Sequence, residues 1–195
     1  MKLIKFTRDI KIGEDVDECK KDKSYIISDG FLQQLKDSVS DESIEGIYPF
    51  QEIPEKRYKG QDLTNKSILI WRTGGMGDLC FITPNLKYIK DNFSNSKIYF
   101  GCGPRFKYGI MDQPHIDKIV PLPIDYDLLL KCDYYIMFEG IIEANPKAKE
   151  VNAYDLFSQA FGFYEKIPPN QRRPTLGLSK EHLEKSKKIL SDFYS

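Results

Sequence analysis

A continuous apolar run, Ile68-Leu69-Ile70-Trp71, limits most narrowly how this chain can fold. An unbroken run of this length is typical of a strand buried on both faces, which soluble proteins place in parallel sheets. A turn with three glycines follows at 73–78, and from Leu79 to Ile89 apolar residues recur with the spacing of a helix. The sequence therefore predicts a strand–turn–helix unit, with Pro84 in the first turn of the helix, where proline is tolerated.

The segment after this unit continues to alternate between strand and helix patterns. Because strand–helix–strand units build parallel sheets with right-handed crossovers, we expect a Rossmann-like α/β domain over 67–195. The predicted strands lie at 67–71, 97–100, 116–122, 134–138 and 175–178, and the predicted helices at 79–93, 105–111, 151–161 and 179–193.

Residues 1–50 have a different pattern and predict a small α+β module. We expect strands at 2–7, 25–27 and 44–50, a polar loop at 13–23, and a short helix that follows the capping residue Ser28 or Asp29. A module of this size is marginally stable by itself, so it should dock on the rest of the chain or on a partner. Residues 51–66 are polar, contain Pro54 and Gly60 as breakers, and predict a linker.

Charge and composition exclude several functional classes. The chain has 29 basic and 29 acidic residues, a balance that argues against nucleic-acid binding, which needs an excess of cations. It has no run of about 18 apolar residues, so no membrane span is expected, and its N-terminus lacks the apolar core of a signal peptide. Four scattered cysteines without a CxxC pair predict reduced thiols and no metal site, in keeping with a cytoplasmic location.

The glycine-rich turn, Thr73-Gly74-Gly75-Met76-Gly77-Asp78, is the strongest candidate for a ligand site. Turns at the carboxyl ends of parallel strands line the ligand crevice, and the helix N-terminus that follows favours an anion. A P-loop is excluded because it needs a lysine after its last glycine, where this chain has Asp78. A dinucleotide fingerprint is weakly matched, since Cys80 replaces its third glycine and the second strand ends without an acid.

Asp78 itself has two interpretations. Its carboxylate could accept a proton from an attacking hydroxyl, because it lies at the mouth of the predicted sheet and the helix N-terminus favours its charged form. Alternatively, Asp78 caps the helix or places a negative charge in its first turn, where aspartate is common. The spacing is compatible with both roles.

The segment from Ile68 to Pro84, ILIWRTGGMGDLCFITP, resembles the N-terminal signature of glycosyltransferase family 9, the lipopolysaccharide heptosyltransferases. That signature combines an apolar strand, a short turn, Met-Gly-Asp and an apolar helix with Thr-Pro. The matching residues here are Thr73, Met76, Gly77, Asp78, Thr83 and Pro84. Weaker similarity occurs at 97–104, 113–119, 133–140 and 173–179, so the resemblance extends over about 67–193.

The resemblance implies a GT-B fold, in which two Rossmann-like domains face each other across a cleft. This chain would supply the N-terminal half, which binds the acceptor sugar, with Asp78 as the general base. The acceptor side would be shaped by the residues of the turn: Thr73, Gly74, Gly75, Met76 and Gly77. Enzymes of this type transfer a sugar from a nucleotide-sugar with inversion and need no metal ion or other cofactor. A chain of 195 residues accommodates one such domain and the module, so a donor-binding domain or partner protein is expected elsewhere.

Three further residues are candidates for contacts with the acceptor. Arg105 follows Gly103-Pro104 and could hold a phosphate or carboxylate through its guanidinium fork, or simply lie on the surface. Glu139 and Gly140 end the fourth predicted strand and could contact sugar hydroxyls, or belong to a solvated loop. The glutamate departs from the family pattern and leaves the identity of the acceptor open.

Some aromatic and basic residues also have two interpretations. The pair Arg172-Arg173 could bind phosphate or be solvated. Several aromatic side chains could stack on a sugar ring, although core packing is favoured for the last of them: Tyr126, Tyr134, Tyr135 and Phe138.

The N-terminal module suggests a different class of function. Residues 1–50 have no counterpart in the transferases and resemble small β modules of bacteriophage accessory proteins. The alternative hypothesis is therefore a non-catalytic protein that retains the transferase fold, either a structural or assembly component of a virion or a carbohydrate-binding module. Its location would then be the virion rather than the cytoplasm.

Overall fold

The computed structural model describes residues 1–12, 17–174, 177 and 179–194. The strands of these residues are β1 (Lys2–Phe6), β2 (Ile10–Ile12), β3 (Asp17–Cys19), β4 (Ser24–Ile27), β5 (Ile44–Pro49), β6 (Ser67–Arg72), β7 (Lys97–Cys102), β8 (Lys118–Val120), β9 (Ile124–Asp125) and β10 (Tyr134–Met137). The α-helices are α1 (Asp29–Ser38), α2 (Met76–Asn92), α3 (Tyr126–Lys131), α4 (Ala153–Phe161) and α5 (Lys180–Tyr194).

The larger unit is built on a parallel four-stranded sheet with the order β10-β6-β7-β8. Strand β6 lies in the interior of this sheet, so its side chains are buried on both faces. Ile68 and Ile70 point into a core that α2 and α4 cover, whereas Leu69 and Trp71 belong to a second core on the opposite face. The α/β class and the Rossmann-like sheet predicted from the apolar run are confirmed.

Aromatic rings fill the core beneath α2 and α4. Phe161 stacks on Phe163 with ring centroids 5.5 Å apart, and Phe138 lies 4.9 Å from Phe161. Tyr58, from the segment 51–66, packs edge-on against the same group of rings. Its amide donates to the carbonyl of Tyr135 at 2.8 Å, so this polar segment runs along β10.

The N-terminal sheet is antiparallel and has the order β5-β1-β4-β9. Its last strand, β9, comes from between β8 and α3 and therefore joins this sheet to the α/β unit. Ile26 of β4 packs in the second core together with Trp71 and Ile124, and Lys23 forms an ion pair with Asp125. The two sheets thus share a hydrophobic core, while the division of the chain at residues 50 and 66 stays a prediction.

Helix α2 begins at Met76, three residues earlier than predicted, because Gly75 ends the turn with a φ of 81°. Pro84 consequently lies in the third turn of the helix, and the expectation that it lies in the first turn was wrong. A proline has no N–H to donate to the carbonyl of Cys80, four residues earlier. The hydroxyl of Thr83 donates to that carbonyl instead, at 2.8 Å.

Other elements differ from the prediction in detail. The predicted loop at 13–23 contains β3, which pairs with β2, and the predicted helix at 105–111 is a 3₁₀ helix over Pro104–Gly109. The predicted strand at 175–178 falls mainly on residues outside the described part. Ser179 does cap the last helix, since its hydroxyl accepts from the amide of His182 at 3.1 Å. Within the described ranges, none of the helices has the length and apolar character needed to cross a membrane.

Candidate functional site

The carboxyl ends of β6 and β10 lie side by side at one edge of the parallel sheet. Trp71 pairs with Met137, and the amide of Phe138 donates to the carbonyl of Trp71 at 3.0 Å. The glycine turn after β6 and the loop after β10 therefore leave the sheet next to each other. In open α/β sheets this edge is where ligands bind.

Arg72, the last residue of β6, is the centre of this edge. Its side chain is only 6% exposed. Nη1 donates to the carbonyl of Phe138 at 2.9 Å, and Nη2 donates to Oδ2 of Asp78 at 2.7 Å. Nη2 also donates to Oε1 of Glu143 at 2.5 Å, and Nη1 lies 3.9 Å from Oε2 of Glu139. One buried guanidinium thus gathers three carboxyl groups, one from the first turn of α2 and two from the loop after β10.

The pKa values of this cluster reflect the same contacts. Burial lowers the pKa of Arg72, but its hydrogen bonds to Glu143 and Asp78 outweigh this effect, so its pKa lies above the ordinary value. The hydrogen bond from Arg72 holds the pKa of Glu143 below its usual range. With one guanidinium and three carboxyl groups, the formal charge of the cluster is negative.

Asp78 is the third residue of α2, and Gly75 is its N-cap. Asp78 therefore lies in the first turn of the helix, one of the two places that the alternative interpretation allowed, but not at the N-cap. Its carboxylate turns back across the glycine turn to Arg72. A Cβ atom added to Gly75 would overlap this carboxylate, and the positive φ of Gly75 is one that other residues rarely adopt. Glycine at this position is therefore required by both the backbone and the placement of Asp78.

Glu139 joins the loop after β10 to the glycine turn. Its Oε1 accepts hydrogen bonds from the amide of Thr73, at 2.6 Å, and from the hydroxyl of Thr73. The Thr73 hydroxyl oxygen also lies 3.3 Å from the hydroxyl oxygen of Ser28, at the start of α1. Gly140 follows with a φ of 74° and accepts from the amide of Ala144 at 2.8 Å, which stabilises the turn that brings Glu143 back to Arg72.

These groups line an open cavity of about 370 Å³, which we call the acidic cleft. One wall belongs to the N-terminal unit and the other to the ends of β6 and β10. The lining residues are Ser28, Gly30, Phe31, Gln34, Arg72, Thr73, Gly74, Gly75, Asp78, Glu139 and Glu143. Carboxylates, hydroxyls and an amide at one surface can accept and donate hydrogen bonds to a ligand with several hydroxyl groups.

The structure brings five of the predicted site residues together in this cleft: Thr73, Gly74, Gly75, Asp78 and Glu139. Four others lie outside its lining. Met76 is partly exposed and covers Gly109, Gly77 is in the first turn of α2, and Gly140 supports the neighbouring loop. Arg105 lines a different cavity, where its guanidinium carbon lies 4.7 Å from the ring centroid of Phe106. The roles assigned to all nine residues stay predictions.

Two of the aromatic candidates for sugar stacking are buried in the hydrophobic core. Phe138 packs among the rings beneath α4, as favoured, and Tyr135 is buried and stacks on Trp71 with centroids 5.8 Å apart.

Arg172 was expected to hold a phosphate or to be solvated. It is instead buried, where it donates to the carbonyl of Ile167 at 2.8 Å and to Asp155 at 2.6 Å. These contacts fix the chain after α4.

Sequence reasoning missed the residues that complete the cleft. Arg72 does carry a sequence signal, because a charged residue at the end of an apolar strand and directly before a glycine turn lies at the ligand edge of the sheet. Glu143 and the wall from α1, with Phe31 and Gln34, have no local signal. Their position depends on how distant parts of the chain pack.

Comparisons with known proteins give a similarity to a solved structure. Neither a search of protein-family models nor a search of curated proteins gave a match. A search of solved structures matched the crystal structure of the glycosyl transferase family 9 from Veillonella parvula DSM 2008, with 21% identity and a TM-score of 0.31. The match covers 32% of this chain and 18% of that one, so it spans less than a fifth of that protein's length. The heptosyltransferase and bacteriophage assignments, and the cytoplasmic or virion location, stay predictions.

Proposed function

We propose that the acidic cleft binds a sugar and that this chain is the acceptor-binding part of a glycosyltransferase of the family 9 type. The observation that carries the proposal is the gathering of Asp78, Glu139 and Glu143 around Arg72 at the carboxyl edge of the sheet. The resemblance of residues 68–84 to the transferase signature supports the same assignment. That signature contains Asp78 and the turn that forms the floor of the cleft.

The chemistry of the cleft suits a polyhydroxylated ligand. Sugar hydroxyls form their strongest hydrogen bonds with charged acceptors, and here two carboxylates are held in place by Arg72 and by Thr73. A cavity of about 370 Å³ lies within the range of small-molecule sites. Because the carboxylates are already oriented, little side-chain entropy would be lost when a sugar binds.

Asp78 is the residue proposed as general base. Both hydrogen bonds from Arg72 fall on Oδ2, so Oδ1 is the atom that could accept the proton of an acceptor hydroxyl. The hydroxyl oxygen would form a bond to the anomeric carbon of the donor as the bond from that carbon to the diphosphate breaks. The nucleoside diphosphate leaves with the bonding electron pair, and the anomeric configuration is inverted. A donor-binding domain, from further chain or a partner, would supply the nucleotide-sugar.

Binding is the first test of this proposal. Free hexoses, heptoses and acidic sugars would be titrated into ¹⁵N-labelled protein while the amide signals of Thr73, Gly74 and Glu139 are followed. We expect at least one sugar class to shift these signals. If no sugar shifts them at millimolar concentration, the sugar site is wrong.

Transfer is the second test and compares two variants of helix α2. The chain would be tagged and purified from its host with its accompanying proteins, then supplied with nucleotide-sugars, and the products identified by mass spectrometry. Asp78→Asn should abolish transfer and retain sugar binding, whereas Asp91→Asn, an exposed residue of the same helix, should leave transfer unchanged. Equal transfer by Asp78→Asn and wild type would remove Asp78 from the mechanism.

One observation favours a second candidate, a sugar-binding module without catalysis. The carboxylate of Asp78 is held by a buried guanidinium, and a carboxylate so fixed can serve simply as an anchor for sugar hydroxyls. In that case sugars bind to the cleft, no transfer occurs with any accompanying protein, and Asp78→Asn weakens binding itself.

A further inference from the structure

A second cavity of about 370 Å³ adjoins the acidic cleft and differs from it in chemistry. The two cavities share Phe31, Gln34, Thr73 and Gly74, so they lie on either side of these residues. We call this second space the α1 pocket, because α1 forms one of its walls. The lining residues that bear on its chemistry are Lys11, Phe31, Leu35, Arg105 and Phe106.

The lining of the α1 pocket is mainly apolar and carries cations at its rim. Phe31 and Leu35 of α1 face the pocket from one side, and Phe106 of the 3₁₀ helix faces it from the other. Lys11 of β2 and Arg105 are the charged residues, and the described lining residues include no carboxylate. The acidic cleft has the opposite character, with three carboxyl groups around one arginine.

The contacts around Arg105 and Lys11 bear on whether their charges are available to a ligand. Arg105 lies with its guanidinium carbon 4.7 Å from the ring centroid of Phe106, an arrangement that restricts the side chain without neutralising its charge. Lys11 is paired in register with Glu18 of β3, but the carboxylate of Glu18 accepts from Lys20 at 2.6 Å. The residue paired with Lys11 across the strand therefore has its carboxylate engaged with another lysine.

We propose that the α1 pocket binds a phosphate monoester with an aromatic body, a chemistry that nucleoside monophosphates share with simple aryl phosphates. A dianionic phosphate suits two cations that approach from different elements, and the ring suits the surface of Phe31 and Phe106. The volume of the pocket is that of a small-molecule site. Seven of its lining residues, between Lys11 and Val39, come from the N-terminal unit.

This site does not depend on the reaction proposed for the acidic cleft. The N-terminal unit is anchored through β9 and the shared core, so α1 is a fixed wall of the pocket. A ligand in the α1 pocket and a ligand in the cleft would share only the residues common to both linings, which are Phe31, Gln34, Thr73 and Gly74. The N-terminal unit would thereby contribute a binding site of its own to the edge of the sheet.

The test is a titration of ¹⁵N-labelled full chain with four probes: phenyl phosphate, uridine monophosphate, inorganic phosphate and benzyl alcohol. Phenyl phosphate should shift the amide signals of Phe31, Leu35 and Phe106, and inorganic phosphate and benzyl alcohol should bind more weakly because each lacks half of the recognised chemistry. Tighter binding of uridine monophosphate than of phenyl phosphate would assign the site to nucleotides. The reverse order would assign it to other aryl phosphates.

Three variants complete the test. Lys11→Ala and Arg105→Ala should each weaken phenyl phosphate binding about tenfold, the effect of losing one hydrogen bond to a charged group. Lys36→Ala removes the same charge from an exposed position of α1 outside the lining and should have no effect. Asp78→Asn should also leave this binding unchanged, which separates the result from that of the sugar site.

Three outcomes would overturn the proposal. The first is an absence of shifts at Phe31, Leu35 and Phe106 with millimolar phenyl phosphate. The second is inorganic phosphate binding as tightly as phenyl phosphate, which would show an anion site without ring recognition. The third is an equal effect of Lys36→Ala and Arg105→Ala, which would reduce the binding to general electrostatic attraction.

Discussion

Arg72 donates two hydrogen bonds to a single oxygen of Asp78, from Nη2 at 2.7 Å and from Nε at 3.1 Å. This pair joins the end of β6 to the first turn of α2 across the glycine turn. The same guanidinium donates to the carbonyl of Phe138 and so also holds the loop after β10. The shape of the acidic cleft therefore depends on one buried side chain.

Arg72→Met should destabilise the protein by about 3 kcal/mol, because it leaves the largely buried carboxylate of Asp78 and the buried carbonyl of Phe138 without their cation. Arg57→Met is the matched control, since Arg57 pairs with Glu52 at the surface, and we expect a loss below about 1 kcal/mol. Urea unfolding measures both. Equal losses for the two variants would show that the cluster contributes no special stability.

Gly75→Ala should cost about 1–3 kcal/mol and weaken ligand binding in the acidic cleft, because the new methyl group strains a positive φ and displaces Asp78 from Arg72. Gly74→Ala is the control: a Cβ there would meet Phe106 at 3.9 Å, an ordinary contact. Urea unfolding and sugar titration of both variants test this. Equal tolerance of alanine at both positions would contradict the packing described for the turn.

Asp133 should make folding stability depend on acid pH. The amide and hydroxyl of Ser67 donate to Asp133 at 2.8 and 2.9 Å and hold its pKa below the ordinary value of 3.8. A carboxylate whose pKa is lower in the folded state contributes stability above the unfolded pKa and loses it as the pH falls through the folded pKa. Unfolding free energies between pH 5 and about 2 should therefore fall less steeply for Asp133→Asn. Parallel curves for variant and wild type would exclude this contribution.

Ile26→Ala should destabilise the whole protein by about 2–4 kcal/mol, because Ile26 lies in the core that both sheets share. Ile189→Ala, at an exposed position of α5, should change stability little. Trp71 is the sole tryptophan and is buried in the shared core, so its fluorescence reports on that core directly. Unfolding of the N-terminal unit before any change in Trp71 emission would show that the two units unfold independently.

Cys132 should resist alkylation in the folded protein. Burial raises the pKa of its thiol to about 11, and the thiolate is the reactive form. Cys80 is only partly buried and should react first. Pulsed iodoacetamide labelling at pH 8, read by mass spectrometry, gives the order, and faster labelling of Cys132 than of Cys80 would contradict it.

The strand–turn–helix unit could be predicted because its determinants are local. The apolar run at 68–71 indicates a buried strand, the glycines indicate a turn after it, and the helical spacing beyond them indicates α2. The start of α2 was placed too late because the glycines at 74, 75 and 77 indicate a turn that extends to Asp78. The positive φ of Gly75, rather than periodicity, determines where that helix begins.

The cleft was only partly predictable for a different reason. Asp78 lies six residues from Arg72, within the turn that the sequence pattern identifies, but Glu143 lies 71 residues away in a loop without a regular pattern. The α1 wall depends on β9, which is only two residues long, and two residues are too few to show the alternation of a strand. Contacts of this kind appear only when the whole chain is packed.

The addition of β9 to the N-terminal sheet has a consequence for synthesis on the ribosome. Strand β4 exposes its backbone edge until Ile124 and Asp125 have been translated, about a hundred residues after β4 itself. During that interval the nascent chain has an unpaired strand edge that can pair with other chains. The growing polypeptide should therefore be most prone to misassociation before residue 125 has left the exit tunnel, and protected once it has.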